Sequence, residues 1–198
     1  HQSELGVSLV NQLHSILLSI GLDKDVSTAN ALICMHGKCG NIKAASLIFD
    51  TLSERDIVSW TTMMSVYCQE GLHKNCHYLF EQMQRQGVII DQTAFVIMVT
   101  AFANVSTLHE GKMIHSHIVQ NNLDSTIDVS NALVNMYGKC GTLEDALQTF
   151  DKMQIRSKQT YINILSTCAN LVALSNGKQI HCEIMQKGVL MDGLLGNN

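Results

Sequence analysis

The sequence predicts an all-α fold: a right-handed α-solenoid of stacked helix-turn-helix repeats, each 31–35 residues long. Three observations carry that prediction. Long stretches of the chain recur at fixed offsets, and apolar residues within them fall three and four apart. No stretch of useful length alternates apolar and polar residues as a half-buried strand would.

The recurrence is read directly. NALICMHGKCGNIKAASLIFD, beginning at Asn30, returns as NALVNMYGKCGTLEDALQTFD from Asn131, so that Gly37 matches Gly138, Cys39 matches Cys140 and Phe49-Asp50 matches Phe150-Asp151, each offset by 101. A second set recurs at an offset of 66 and aligns Phe95, Asn104, Leu108, Gly111-Lys112 and His115 with Tyr161, Asn170, Leu174, Gly177-Lys178 and His181. His14 lies 101 residues before His115 and occupies the same slot. These offsets divide the chain into a remnant at 1–25, complete units at 26–56, 57–91, 92–126, 127–157 and 158–192, and the start of another unit at 193–198.

Each unit is predicted to hold two helices. In 41–52, Ile42, Ala45, Ile48, Phe49 and Leu52 form one apolar stripe. Asn41 and Thr142 each follow a glycine and stand where an N-cap is needed. Gly37 and Gly40 are expected to bracket the turn between the helices of 26–56, because glycine accepts positive φ. Gly71 divides the helices of 57–91, and Gly87 ends the second of them.

Composition narrows the function. Apolar residues make up 46% of the 198 and charged ones 15%, which is material for a core rather than for disorder. Proline is absent, where average usage of about 5% would give roughly ten. The net charge of −4 excludes a nucleic-acid binder that works by bulk positive charge. No apolar run is long enough to span a bilayer. The first residues read neither as a signal peptide nor as a Ser/Arg-rich transit peptide, and a chain that begins at His1 reads as an internal segment of something longer. Seven cysteines, an odd count with no C-x-x-C, point to reduced thiols in an intracellular setting.

The KCG, SW and GK-x-I-H signatures, in NALICMHGKCGNIKAASLIFDTLSERDIVSWTTMM, GLHKNCHYLFEQMQRQGV and GKMIHSHIVQNNL, resemble plant pentatricopeptide repeats of the PLS class. In those terms the order is partial L (1–25), S (26–56), P (57–91), L (92–126), S (127–157), L (158–192) and the start of an S unit. Two departures stand out. The second S unit runs directly into an L unit, so the intervening P unit is missing. The prolines usual near unit ends are replaced here, with Ile90 before Asp91 and with Leu52-Ser53 and Met153-Gln154 in the S units. Looser inter-repeat turns are expected, with a change of superhelical phase near Ser157.

The resemblance implies binding of single-stranded RNA in mitochondria or chloroplasts, about one base per repeat, in a factor that edits, processes or stabilises a transcript. Other editing proteins would be partners, and membrane and DNA would not. The family's specifying positions are the fifth and last of each unit, which here are Asn30 with Asp56, Thr61 with Asp91, and Asn131 with Ser157. By resemblance these read U, G and C. The L units carry Val96 with Thr126 and Ile162 with Asp192, and the apolar Val96 and Ile162 imply little discrimination. The second position sandwiches bases with an aliphatic side chain. Val58 fits, whereas Ser27, Thr93, Asp128 and Gln159 do not. An Asn near a helix start is often a cap, which is the competing role for Asn30 and Asn131. For Thr61 the competing role is ordinary helix surface.

Other motifs fall short of chemistry. His181-Cys182-Glu183 matches the H-x-E of zinc deaminases, but the partner P-C-x-x-C is lacking. His181 also aligns with His14 and His115, as a packing residue would. Cys34, His36 and Cys39 suggest metal ligands until their counterparts are read as Asn135, Tyr137 and Cys140. No metal or cofactor is therefore expected, and any deaminase domain would lie outside the segment. Two other readings compete with RNA targeting: a protein-interaction scaffold of tetratricopeptide type, and a degenerate paralogue without a ligand.

Overall fold

The computed structural model describes residues 2–22, 24–105 and 108–187. These form eleven helices, with no strand among the described residues: α1 (Gln2–Ser19), α2 (Val26–Lys38), α3 (Ile42–Thr51), α4 (Ile57–Gln69), α5 (His73–Arg85), α6 (Gln92–Val105), α7 (Leu108–Gln120), α8 (Ile127–Lys139), α9 (Leu143–Lys152), α10 (Lys158–Asn170) and α11 (Leu174–Lys187). The chain divides into two compact units, His1–Ala101 and Phe102–Asn198. Each is a stack of helical hairpins. In the first, α2 packs on α3, α4 on α5, and α2 on α4. In the second, α8 packs on α9, α10 on α11, and α8 on α10.

The hairpin turns follow from backbone chemistry. Gly40, Gly71 and Gly141 take positive φ at the fifteenth place of their repeats, and Gly21, Gly87 and Asn122 do so after second helices. The helix ends are closed by the bonds of a Schellman turn, as in Asn41 N–H to His36 O at 2.9 Å and Thr142 N–H to Tyr137 O at 3.0 Å. Val172 occupies the fifteenth place of the last complete repeat with φ 56°. A β-branched residue is disfavoured there.

Two expectations about local structure change. Gly37 belongs to α2, not to the turn. A Cβ at Gly37 would collide with the Val66 side chain on α4, and one at Gly138 with Thr167 on α10. Both glycines exist to let the first helices of successive hairpins approach closely. Asn41 caps α3 by accepting the Ala44 N–H at 3.3 Å, but Thr142 makes no such bond and donates to Tyr137 O at 3.3 Å.

Consecutive hairpins are joined by a recurring aromatic contact. The ring near the end of a second helix meets one in the first turn of the next hairpin: Phe49 on Trp60, Phe80 on Phe95 and Phe150 on Tyr161, edge to face with centroids 5.1, 5.8 and 5.7 Å apart. The proline-free turns after α3 and α9 are clasped by arginine. Arg55 lies over the Phe49 and Trp60 rings and donates to Phe49 O at 2.9 Å. Arg156 lies over Phe150, donates to Phe150 O at 3.2 Å, and pairs with Glu183 at 2.6 Å. Glu183 Oε1 also accepts from the Tyr161 hydroxyl at 3.0 Å. The carboxylate of the H-x-E sequence is thus a tie between hairpins.

Candidate functional site

The second and fifth residues of a repeat lie three apart, on one face of its first helix. Ser27, Val58, Thr93, Asp128 and Gln159, the second residues, are all exposed, with Val58 at 50% and suited by exposure to lie against a base. The fifth residues sit deeper. Asn30 and Thr61 are buried, and Asn131 and Val96 are half-buried, while Ile162 is 44% exposed.

The last residue of a repeat has a structural task of its own, because it precedes the next repeat's first helix. Asp25 caps α2, with its carboxylate accepting the Thr28 N–H at 2.8 Å. Asp56 caps α4 and Ser157 caps α10, while the Asp91 carboxylate accepts the Ala94 N–H in the first turn of α6. Thr126 stands at the start of α8 but gives no side-chain cap, its hydroxyl donating to Leu123 O at 2.8 Å. Asp192 lies outside the described residues. Asn30 and Asn131 therefore do not cap anything; both lie within helices.

The three candidate pairs, each a fifth residue with the last of its repeat, differ in geometry. Asn30 Nδ2 donates to Asp56 Oδ1 at 3.1 Å, and that oxygen also accepts from the Ser59 N–H at 2.7 Å and the Ser59 hydroxyl at 2.8 Å. Partial burial pushes the Asp56 carboxyl upward, but the hydrogen bonds from Ser59 and Asn30 outweigh it and hold the group below the ordinary carboxylate range. No such bond joins Thr61 to Asp91 or Asn131 to Ser157 among the described residues. The Thr61 hydroxyl donates to Ile57 O in its own helix at 2.9 Å. Ser157 is engaged in a capping box: Ser157 Oγ accepts the Thr160 N–H at 3.2 Å, and Thr160 Oγ1 accepts the Ser157 N–H at 3.0 Å. Asn131 instead meets the next hairpin through its backbone, accepting from Asn163 Nδ2 at 3.2 Å. The side-chain Oδ1 atoms of Asn30 and Asn131 are enclosed and without a hydrogen-bond partner.

Sequence reasoning did not single out Ser59, Thr160 or Asn163. The S/T-x-x-T pattern at 157–160 was the available signal for the capping box.

The histidine slot is occupied by packing pairs. His115 Nδ1 lies 2.7 Å from the Tyr137 hydroxyl, and His14 Nδ1 lies 3.3 Å from His36 Nε2. Among the described residues no group of three or more His, Cys, Asp or Glu side chains could hold a metal ion. All seven cysteines are free thiols, and burial raises that of Cys76 to about 12. No described helix is long and apolar enough to cross a membrane.

A stack of helical hairpins with polar side chains at matching slots defines a helical-repeat protein. The PPR repeat family model matches residues 55–104, and the PPR repeat model matches 27–57 and 129–157. This chain belongs to the pentatricopeptide repeat proteins. It is 34% identical to one pentatricopeptide repeat-containing protein of Arabidopsis thaliana, over 84% of this chain and 24% of that protein. With a second from the same plant, named chloroplastic, it shares 36% identity over 75% of this chain and 18% of the relative. The chain spans about a quarter of the length of the curated relatives it matches. Its fold is also that of the crystallised pentatricopeptide repeat protein PPR10, with a TM-score of 0.72 and 17% identity over 94% of this chain and 28% of that one. That structure is of PPR10 in complex with an 18-nt psaJ RNA element.

Proposed function

We propose that this segment binds single-stranded RNA in a sequence-specific way, as part of the targeting array of an organellar RNA-editing or processing factor. The observation that carries the reading is the Asn30–Asp56 pair, because it joins the fifth residue of one repeat to the last by a hydrogen bond of 3.1 Å. A polar group fixed at a repeat boundary can meet the Watson–Crick edge of an unstacked base. Family membership and the RNA bound to PPR10 support the same reading, and the names of two chloroplastic relatives support an organelle. Asn30 with Asp56, Thr61 with Asp91, and Asn131 with Ser157 are the base-reading pairs, and Val58 lies against a base. Val96 and Ile162 have no side-chain hydrogen-bonding group and leave their slots permissive; Thr126 and Asp192 complete those pairs.

An electrophoretic binding assay tests this with RNA carrying U, G, any base and C in that order. Preference for that RNA over permuted sequences is expected. Equal binding of all sequences, or binding of none, overturns the reading.

A further inference from the structure

In the second unit, the second helices of two successive hairpins, α7 and α9, line a cleft of about 460 Å³. Lys112, His115, Ser116 and Gln120 line it from α7, and Asp145 and Lys152 from α9. No second, fifth or last residue of a repeat is among its lining, so it stands apart from the candidate base-reading positions. The first unit shows that packing does not call for these charges. Where the second unit has Lys112, Asp145 and Lys152, the places 101 residues earlier hold Asn11, Ala44 and Thr51.

The buried end of the cleft is preorganised. Tyr137 on α8 is 2% exposed, and its hydroxyl lies 2.7 Å from His115 Nδ1 and makes no other hydrogen bond. Burial of the His115 ring, and then the nearby Lys152 charge, keep the ring neutral against the weaker pull of Asp124 and Asp145. A neutral imidazole that accepts the Tyr137 O–H at Nδ1 carries its own hydrogen on Nε2, where no protein group takes it. Lys112 Nζ pairs with Asp145 at 3.1 Å, whereas the Lys152 ammonium has no partner among the described residues. The Ser116 hydroxyl is spent on Lys112 O at 3.0 Å. Two ammonium groups, an imidazole N–H and the Gln120 amide thus converge around a single carboxylate.

We propose that this cleft binds a phosphomonoester, with the phosphate held by Lys152, Lys112 and His115 Nε2–H and the organic body against Val119. A phosphate dianion suits two cations that one carboxylate does not balance, and its terminal oxygens accept from every donor present. The volume lies within the range of roughly 300–1,000 Å³ usual for small-molecule sites, which leaves room for more than the phosphate itself. Val119, 47% exposed, supplies the apolar wall. The same chemistry belongs to a free sugar phosphate and to the 5′-phosphate of an RNA. Such a site goes beyond the RNA-reading function and stands whether or not that function holds.

Calorimetric titration and amide NMR of the whole 198-residue chain test this. The probes are ribose 5-phosphate, ribose as its neutral control, and one trinucleotide carrying either a 5′-phosphate or a 5′-hydroxyl. Saturable one-to-one binding that requires the phosphate is expected, with shifted resonances at His115, Tyr137 and Lys152. Binding of ribose 5-phosphate makes a free metabolite the source, and binding of the 5′-phosphorylated trinucleotide alone makes it an RNA end; either fulfils the proposal. Lys152→Ala should weaken binding about tenfold, the scale of one hydrogen bond to a charged group. Lys158→Ala, at an exposed lysine outside the cleft, should leave it unchanged. Asp145→Asn removes the opposing charge and should tighten binding several-fold. Because a partly exposed ion pair contributes little to the fold, that variant stays folded. The proposal is overturned if neither phosphate saturates the chain at about 10 mM, or if the phosphate-free controls bind as well. Equal losses in Lys152→Ala and Lys158→Ala, or weaker binding by Asp145→Asn, overturn it too.

Discussion

A single atom decides what a base-reading residue can recognise. Asn30 and Asn131 expose similar chemistry to a ligand only if their amides are free to turn, and only Asn30 is pinned by a carboxylate. Thr61 has its hydroxyl on Ile57 O, so its hydrogen is committed and its oxygen can only accept from a base. Replacing Thr61 by Asn, or Asn131 by Asp, is expected to change the preferred base at that one position without lowering the melting temperature by more than a few degrees. Competition binding with single-base variants of the RNA, alongside circular dichroism, measures both.

Histidine gives a second residue-scale prediction. Burial lowers the pKa of His36 below the ordinary 6.5, and the charge of nearby His14 lowers it further. Burial lowers His115 as well, and the positive Lys152 adds to that against the weaker opposite pull of Asp124 and Asp145. The folded chain therefore binds fewer protons at these sites than the unfolded chain does. Stability should rise with pH through the region around and below 6.5 and level off above it. Thermal unfolding followed from pH 5 to pH 8 should show this slope. His36→Tyr should flatten it, since the matching place in the second unit is Tyr137, whose hydroxyl stays protonated to about 12.

Helix ends and helix contacts set the next scale. Val172 is 77% exposed and holds a left-handed backbone where three other repeats have glycine. Val172→Gly removes strain without removing burial and should stabilise the chain by about 1 kcal/mol, read by chemical denaturation. Gly138 behaves oppositely. A Cβ there meets three atoms of Thr167, including its own Cβ at 3.1 Å, so rotation of the threonine cannot relieve the clash. Gly138→Ala should cost about 1–3 kcal/mol. Gly177→Ala is the control, because its Cβ finds Cys168 Cβ at an ordinary 3.7 Å and gains helix propensity of roughly 0.5–1 kcal/mol.

These positions also mark how much was legible beforehand. The offsets of 101 and 66 revealed helical pairs because packing repeats when the unit repeats. Positive φ at Gly40 and Gly71 could be anticipated, since a glycine between two apolar stripes has few other uses. The role of Gly37 could not, because what makes it obligatory is Val66, nearly thirty residues away. Thr142 looked like Asn41, but its hydroxyl prefers the carbonyl of Tyr137, and helix capping is a contest among neighbouring acceptors that residue type does not settle. The arginine clasps had a signal, as Arg55 and Arg156 lie 101 apart, but replacing the missing prolines was a task visible only in space. Of the candidate site, the matching repeat positions were legible, and the hydrogen bond that holds Asn30 on Asp56 was not.

For the whole chain, charge sets the terms of binding. With a net charge of −4, little affinity can come from releasing counterions along a phosphate backbone. RNA binding by this segment should be weak and, relative to its strength, tolerant of salt. The logarithm of affinity should fall with the logarithm of salt concentration at a slope no steeper than about −2, corresponding to some three phosphate contacts at −0.7 each. Titrations between low and physiological salt would reveal it, and a steep slope would mean that base contacts contribute less than the asparagine slots suggest.

Asp56 serves two masters. The oxygen that holds the Asn30 amide also starts the neighbouring helix, a contribution of about 1 kcal/mol to that helix. Anyone retargeting such a protein by rewriting one letter of its recognition alphabet would also be editing the foundations of the module downstream. Successful redesigns should therefore draw from the short, oxygen-bearing side chains that can do both jobs, which limits the vocabulary before any nucleotide is considered.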